Sequence, residues 1–102
     1  MMKEKDFSIC LLYDVYAPLL SEKKRTAFEL SYWQDLSLSE IAEHTGTTRQ
    51  GAGELIRRTC EELEQFESAL GVRKLQEGLA ELADRIEKEQ PETAAKIKAL
   101  IS

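Results

Sequence analysis

The chain has 102 residues, 42% of them hydrophobic and 32% charged, and carries a net charge of −5. That composition belongs to a folded chain the size of one ordinary domain, with a modest core that oligomerisation would support, and it excludes wholesale disorder. The acidic total also excludes a protein that coats nucleic acid by charge alone, because phosphate neutralisation supplies most non-specific affinity.

Charge is unevenly placed. Residues 1–58 hold eight Lys/Arg against nine Asp/Glu, whereas residues 59–102 hold six against ten, so the acid is concentrated in the second part. The opening run "MMKEKDFSICLLYDVYAPLL" interrupts its apolar stretch with acids and tyrosines, which does not suit an export signal, and no segment is long and apolar enough to span a membrane. The expectation is a cytoplasmic protein with no membrane insertion. Cys10 and Cys60 stand far apart without C-x-x-C spacing, a pattern of reduced core thiols rather than of a metal site or redox pair.

The elements, taken in chain order, are helices. Asp6 is placed to cap a first helix to about Ala17, with Phe7, Cys10, Leu11, Asp14 and Val15 on one largely apolar face and Pro18 helping to stop it. Ser21 caps a second, whose later turns bury Phe28, Leu30, Tyr32 and Trp33 before "QDLS" breaks the pattern. Ser39 caps a short third segment, "EIAEHT", with Ile41 and Ala42 inward and Gly46 in the following turn. A long fourth helix starts with Thr47 or Thr48 as cap and runs to Gly71, with Leu55, Ile56, Thr59, Leu63, Phe66 and Leu70 as its seam. Beyond it, "VRKLQEGLAELADRIEKEQ" forms a fifth helix that Pro91 ends or kinks, and "ETAAKIKALIS" a short last one. The fold class is therefore all-α, with residues 1–71 as a helix-turn-helix domain and 72–102 as a helical extension packed on it or on a second copy.

The helix-turn-helix reading rests on residues 38–58, "LSEIAEHTGTTRQGAGELIRR". Such a unit needs a small residue where the two helices cross, a residue tolerant of positive φ in the turn, and apolar anchors in the second helix. Ala42, Gly46, Ile41 and Leu55 fill those roles. Docked in the usual way, the unit brings Thr48, Arg49 and Gln50 nearest the base edges of a major groove, where Arg can read guanine and Gln adenine. Arg57 and Arg58 lie farther along and are placed for phosphates, as are Lys23, Lys24 and Arg25 at the start of the second helix.

On these same residues a resemblance appears. The run "LLSEKKRTAFELSYWQDLSLSEIAEHTGTTRQGAGELIRR", residues 19–58, resembles region 4 of bacterial sigma-70-type factors, and more closely the YlxM family of small helix-turn-helix proteins. Its signature is "DLSLSEIAEHTGTTRQG" followed by "IRR", and the similarity extends over roughly residues 6–75. What the resemblance implies is a small cytoplasmic regulatory protein tied to the signal recognition particle pathway. The chain departs from the pattern at Thr47, where an apolar residue is common, and at Ala52, where a larger aliphatic is usual. Gly51 and Gly53 bracket Ala52, each costing about 1 kcal/mol relative to Ala in a helix interior, so this helix is either locally soft or closely approached by another backbone.

Plainer readings stand beside these. The run Lys23-Lys24-Arg25 is also what a solvated helix face looks like, and Arg57 and Arg58 can form surface pairs with Glu54, Glu61 or Glu62. His44 has no second ligand at metal spacing and belongs at the exposed end of a short helix; Tyr13, Tyr16, Tyr32 and Trp33 belong to the core or its rim rather than to a base-stacking platform. With no phosphate loop, no H-E-x-x-H and no nucleophile elbow, the chain reads as a non-enzyme without cofactor or metal. Three functions remain open: a regulator binding nucleic acid, DNA or RNA, through Thr48, Arg49 and Gln50; a protein-binding module acting on the signal recognition particle GTPase; and an accessory to that particle's RNA. Finally, Leu75, Leu79, Leu82 and Ile86 form an a/d-type seam that packs on the chain's own fourth helix or, as the favoured expectation, on a second copy, giving a homodimer.

Overall fold

A computed structural model describes residues 5–102, and these form an all-α helix-turn-helix bundle with additional C-terminal helices, as expected. In chain order the helices are α1 (Ile9–Tyr16), α2 (Glu22–Tyr32), α3 (Leu38–Thr45), α4 (Arg49–Leu70), α5 (Val72–Ile86) and α6 (Pro91–Ile101), with a 3-10 turn at Ala17–Leu19 following α1. The chain divides into two compact units, one running to Ala69 and one over Leu70–Ser102. The reading of the N-terminus as lacking an export signal falls partly on residues 1–4, which lie outside the described residues. Among the described residues no helix is long and apolar enough to cross a membrane.

In the first unit, α1 turns a different face inward from the one its apolar spacing suggests. Ile9, Tyr13 and Tyr16 are buried, while Phe7 and Leu11 are exposed. The reason is that each tyrosine buries its ring and satisfies its hydroxyl on a distant carboxylate. Tyr13 donates to Glu29, and Tyr16 donates to Glu67 at 2.6 Å. Asp6 does not cap the helix; its Oδ1 accepts from the Ser8 amide at 3.0 Å, closing a local turn one step before α1 begins.

The core of this unit is an aromatic stack. Tyr13 lies on Phe28 with centroids 4.3 Å apart, and Phe28 lies on Tyr32 at 4.4 Å. Phe7 meets Tyr32 edge-on and Trp33 meets Tyr13 edge-on, which leaves Trp33 on the surface rather than in the buried side expected for α2. Phe28 is fully buried at the centre of the stack. Lys5 ties the preceding segment to the end of α2, donating to the Ser31 carbonyl and pairing with Asp35 at 3.1 Å.

A second apolar cluster holds the helix-turn-helix together. Ala27 and Leu30 of α2, Ile41 and Ala42 of α3 and Ala52 of α4 are buried against one another, with Leu36, Leu55 and Ile56 packed around them. The cap of α3 lies two residues before the one assigned from sequence. Ser37, not Ser39, is the N-cap, because only Ser37 has a Glu three residues on: Ser37 Oγ accepts from the Glu40 amide at 3.1 Å and Glu40 accepts from the Ser37 amide at 2.9 Å. Gly46 closes α3 at φ +68°, the left-handed conformation that glycine adopts without strain.

The second unit is a helical hairpin. α5 and α6 pack through Ala83 and Ala94, both fully buried, and Lys98 of α6 pairs with Asp84 at 3.1 Å and Glu87 at 3.0 Å of the α5 segment. α5 ends at Ile86, before Pro91 is reached, so Pro91 neither ends nor kinks it. Instead, Pro91 is the first residue of α6, where its missing N–H costs nothing and its fixed φ suits a helix start. The residues of the expected seam divide between two surroundings: Leu75 and Leu82 are exposed, while Leu79 and Ile86 are half-buried.

Candidate nucleic-acid interface

The first turn of α4 is built by the residues before it. Thr48 is the N-cap: its Oγ1 accepts from the Gly51 amide at 3.0 Å, and its carbonyl accepts the first helical bond, from Ala52 at 2.8 Å. Thr47, at a position where an apolar residue is common, satisfies its hydroxyl on Thr45 at 2.9 Å. Glycine at 51 keeps that cap open, since a Cβ there would meet Thr48 Oγ1 at 3.1 Å. Gly53 faces the Leu38 side chain of α3 across ordinary van der Waals distance, 3.6 Å from where its Cβ would be. Neither glycine abuts the backbone of another helix.

This turn presents Thr48, Arg49 and Gln50 side by side on the surface, all exposed. Among the described residues, no hydrogen bond or ion pair engages the guanidinium of Arg49 or the amide of Gln50. Lys23 of α2 is equally exposed and lies next to this turn, where it lines a surface hollow of about 240 Å³ together with Thr47, Gly51, Glu54, Leu55 and Arg58. On its other side Lys23 shares a second hollow with Glu22, Thr26, His44 and Thr45. His44, placed by sequence only as an exposed helix end, thus joins the basic side of the helix-turn-helix, a proximity that 21 residues of separation conceals.

The remaining basic candidates are occupied within the fold. Lys24 is paired with Glu62 of α4, and Arg25 donates to the Leu20 carbonyl at 2.5 Å and the Ala17 carbonyl at 3.3 Å, closing the 3-10 turn. Arg57 binds Glu54 at 2.5 Å and Glu61 at 2.7 Å, and Arg58 binds Glu54 at 3.0 Å. Hydrogen bonds from Arg57 and Arg58 hold the Glu54 carboxyl down at about 2, so at neutral pH it is charged and clasped by both arginines. The cysteines are free and half-buried, and burial pushes both thiols above their ordinary range, which makes them poor nucleophiles.

The site therefore consists of a capped, solvent-facing helix start with a free guanidinium and amide, flanked by one free lysine and a neutralised arginine pair. Comparison with known proteins agrees with its architecture. The family described as "Putative helix-turn-helix protein, YlxM / p13 like" matches residues 3–101. The chain belongs to that family. A UPF0122 protein of Clostridium kluyveri is 44% identical over 69 residues, which cover 68% of this chain and 62% of that protein's own length. A UPF0122 protein of Geobacillus kaustophilus is 40% identical over 85 residues, covering 83% of this chain and 77% of the relative. The family description names a helix-turn-helix protein.

Proposed function

We propose that this YlxM-type chain is a regulatory protein that binds duplex DNA through the first turn of α4. The observation that carries the reading is the exposed pair Arg49 and Gln50, uncommitted among the described residues, on a helix start that Thr48 caps through the Gly51 amide. Arg49 is suited to guanine and Gln50 to adenine, while the Thr48 hydroxyl, its oxygen committed to the cap, still has a proton to donate. Lys23 supplies a phosphate contact from α2. Arg57 and Arg58 become phosphate ligands only by exchanging Glu54 and Glu61 for the backbone, and Lys24 and Arg25 serve the fold. With few free cations among the described residues of an acidic chain, non-specific affinity is low and falls steeply with salt.

A second reading draws on the same neutralised face: a protein-binding module that modulates the signal recognition particle GTPase or its RNA. Arg57, Arg58 and Lys24, each already matched to a carboxylate, favour within this reading the protein over the RNA, whose phosphate backbone is more anionic.

Titrating labelled random duplex, selected duplex and structured RNA at about 50 and about 200 mM salt separates the readings. DNA binding predicts an affinity for duplex that drops at least tenfold, about 1.4 kcal/mol, in Arg49→Ala/Gln50→Ala. An affinity left unchanged by that double substitution, or RNA bound in preference to every duplex, overturns the proposal.

A further inference from the structure

One helix surface in the second unit has no partner within that unit. Leu75 and Leu82 of α5 are 61% and 49% exposed, and between them lies Gly78. Glycine weakens a helix interior relative to alanine, so its presence needs a cause. Backbone conformation supplies none, because Gly78 is helical and absent from the positive-φ positions. Packing within the chain supplies none either: nothing lies within 4 Å of where its Cβ would be. The space is a surface hollow of about 360 Å³ lined by Gly78, Glu81, Leu82 and Arg85.

We infer that this strip is the contact between two copies of the chain, with α5 crossing its counterpart in antiparallel fashion about a twofold axis. Leu75, Gly78, Leu82 and Arg85 recur at intervals of 3, 4 and 3, so the strip reads the same from either end. Turned about an axis level with Ala80, it meets itself with Leu82 above Gly78 of the second copy and Leu75 beneath the aliphatic stem of Arg85 of the second copy. A projecting leucine then fills the hollow that the glycine leaves, twice over, as an isologous contact requires. Charge agrees with this occupant. Gly78 and Leu82, the strip residues nearest the axis, are apolar, and the ions at the edge of the strip, Glu81 and Arg85, already pair with each other within each copy at 3.3 Å, so the twofold brings no unpaired like charges together. The other half of the apolar side of α5, around Ala83, is taken by α6, which leaves this strip as the free one. A single helix crossing covers less than the roughly 800 Å² per partner of a standard interface, so the dimer is weak and concentration-dependent. The inference does not depend on what α4 binds.

Sedimentation equilibrium of the full chain, with Gly78→Leu and Leu82→Ala beside it, provides the test. Since the hollow at Gly78 is empty and helical, Gly78→Leu keeps the monomer folded, with helical circular dichroism equal to or above that of the parent. Both variants are expected to raise the dimer dissociation constant at least tenfold, about 1.4 kcal/mol. On a Cys10→Ser/Cys60→Ser background, Gly78→Cys/Leu82→Cys is expected to oxidise to a covalent dimer far more readily than Leu82→Cys alone. A parent chain still monomeric at hundreds of micromolar, a dimer indifferent to Gly78→Leu, or stronger cross-linking by Leu82→Cys alone would each overturn the inference.

Discussion

Glu54 decides how much positive charge the exposed side of α4 offers. By clasping Arg57 and Arg58 it removes two candidate phosphate ligands. Glu54→Gln weakens both pairs, and at about 50 mM salt it is expected to raise duplex affinity roughly three- to tenfold and to steepen the salt dependence by about one to two phosphate equivalents. Fluorescence anisotropy across a salt series measures both. The same carboxylate makes a pH prediction. Its ionisation is held at about 2 against an ordinary 4.5, so its contribution to stability is complete above pH 4.5 and is lost as pH falls toward 2. The parent chain should therefore lose helicity over that window more steeply than Glu54→Gln. The two glycines of α4 divide in the same way by what surrounds them. Gly53→Ala adds only an ordinary contact with Leu38 and is expected to stabilise by about 0.5–1 kcal/mol, a Tm rise of several degrees in thermal melts. Gly51→Ala presses on the Thr48 cap and is expected to give less than half of that gain, or a loss.

The elements show where local chemistry suffices and where it does not. The start of α3 was misassigned to Ser39 although its signal is local: S-x-x-E at Ser37 and Glu40 is a capping box, and Ser39 has no Glu three positions on. Gly46 as the turn and Ala42, Ile41 and Leu55 as packing residues were legible, since each role is set by a residue's own size or dihedral freedom. Capping by Ser37 makes a prediction at this scale: Ser37→Ala is expected to cost about 1 kcal/mol, read as a lower urea midpoint at unchanged m-value. The inward face of α1 was not legible. Its tyrosines are buried because Glu29 and Glu67, 16 and 51 residues away, accept their hydroxyls, and no periodicity within α1 carries that information. Lys24 and Arg25 are similar: their partners, Glu62 and two backbone carbonyls, come together only in the fold, so a basic run that reads as a phosphate site is spent on structure.

For the molecule as a whole, the acidic total and the few free cations among the described residues mean that the proposed encounter with DNA is local and salt-sensitive, resting on the α4 start rather than on a broad basic surface. Among the described residues, Thr48, Arg49, Gln50 and Lys23 are exposed together at this helix start and would carry the binding. The most direct measurement is a backbone-amide NMR titration of the full chain with a short duplex at low salt. Binding as described predicts shifts concentrated on Thr47 to Gly51 and around Lys23, disappearing in Arg49→Ala/Gln50→Ala. Saturating duplex that leaves those amides unmoved, or moves only those of α5 and α6, would contradict it.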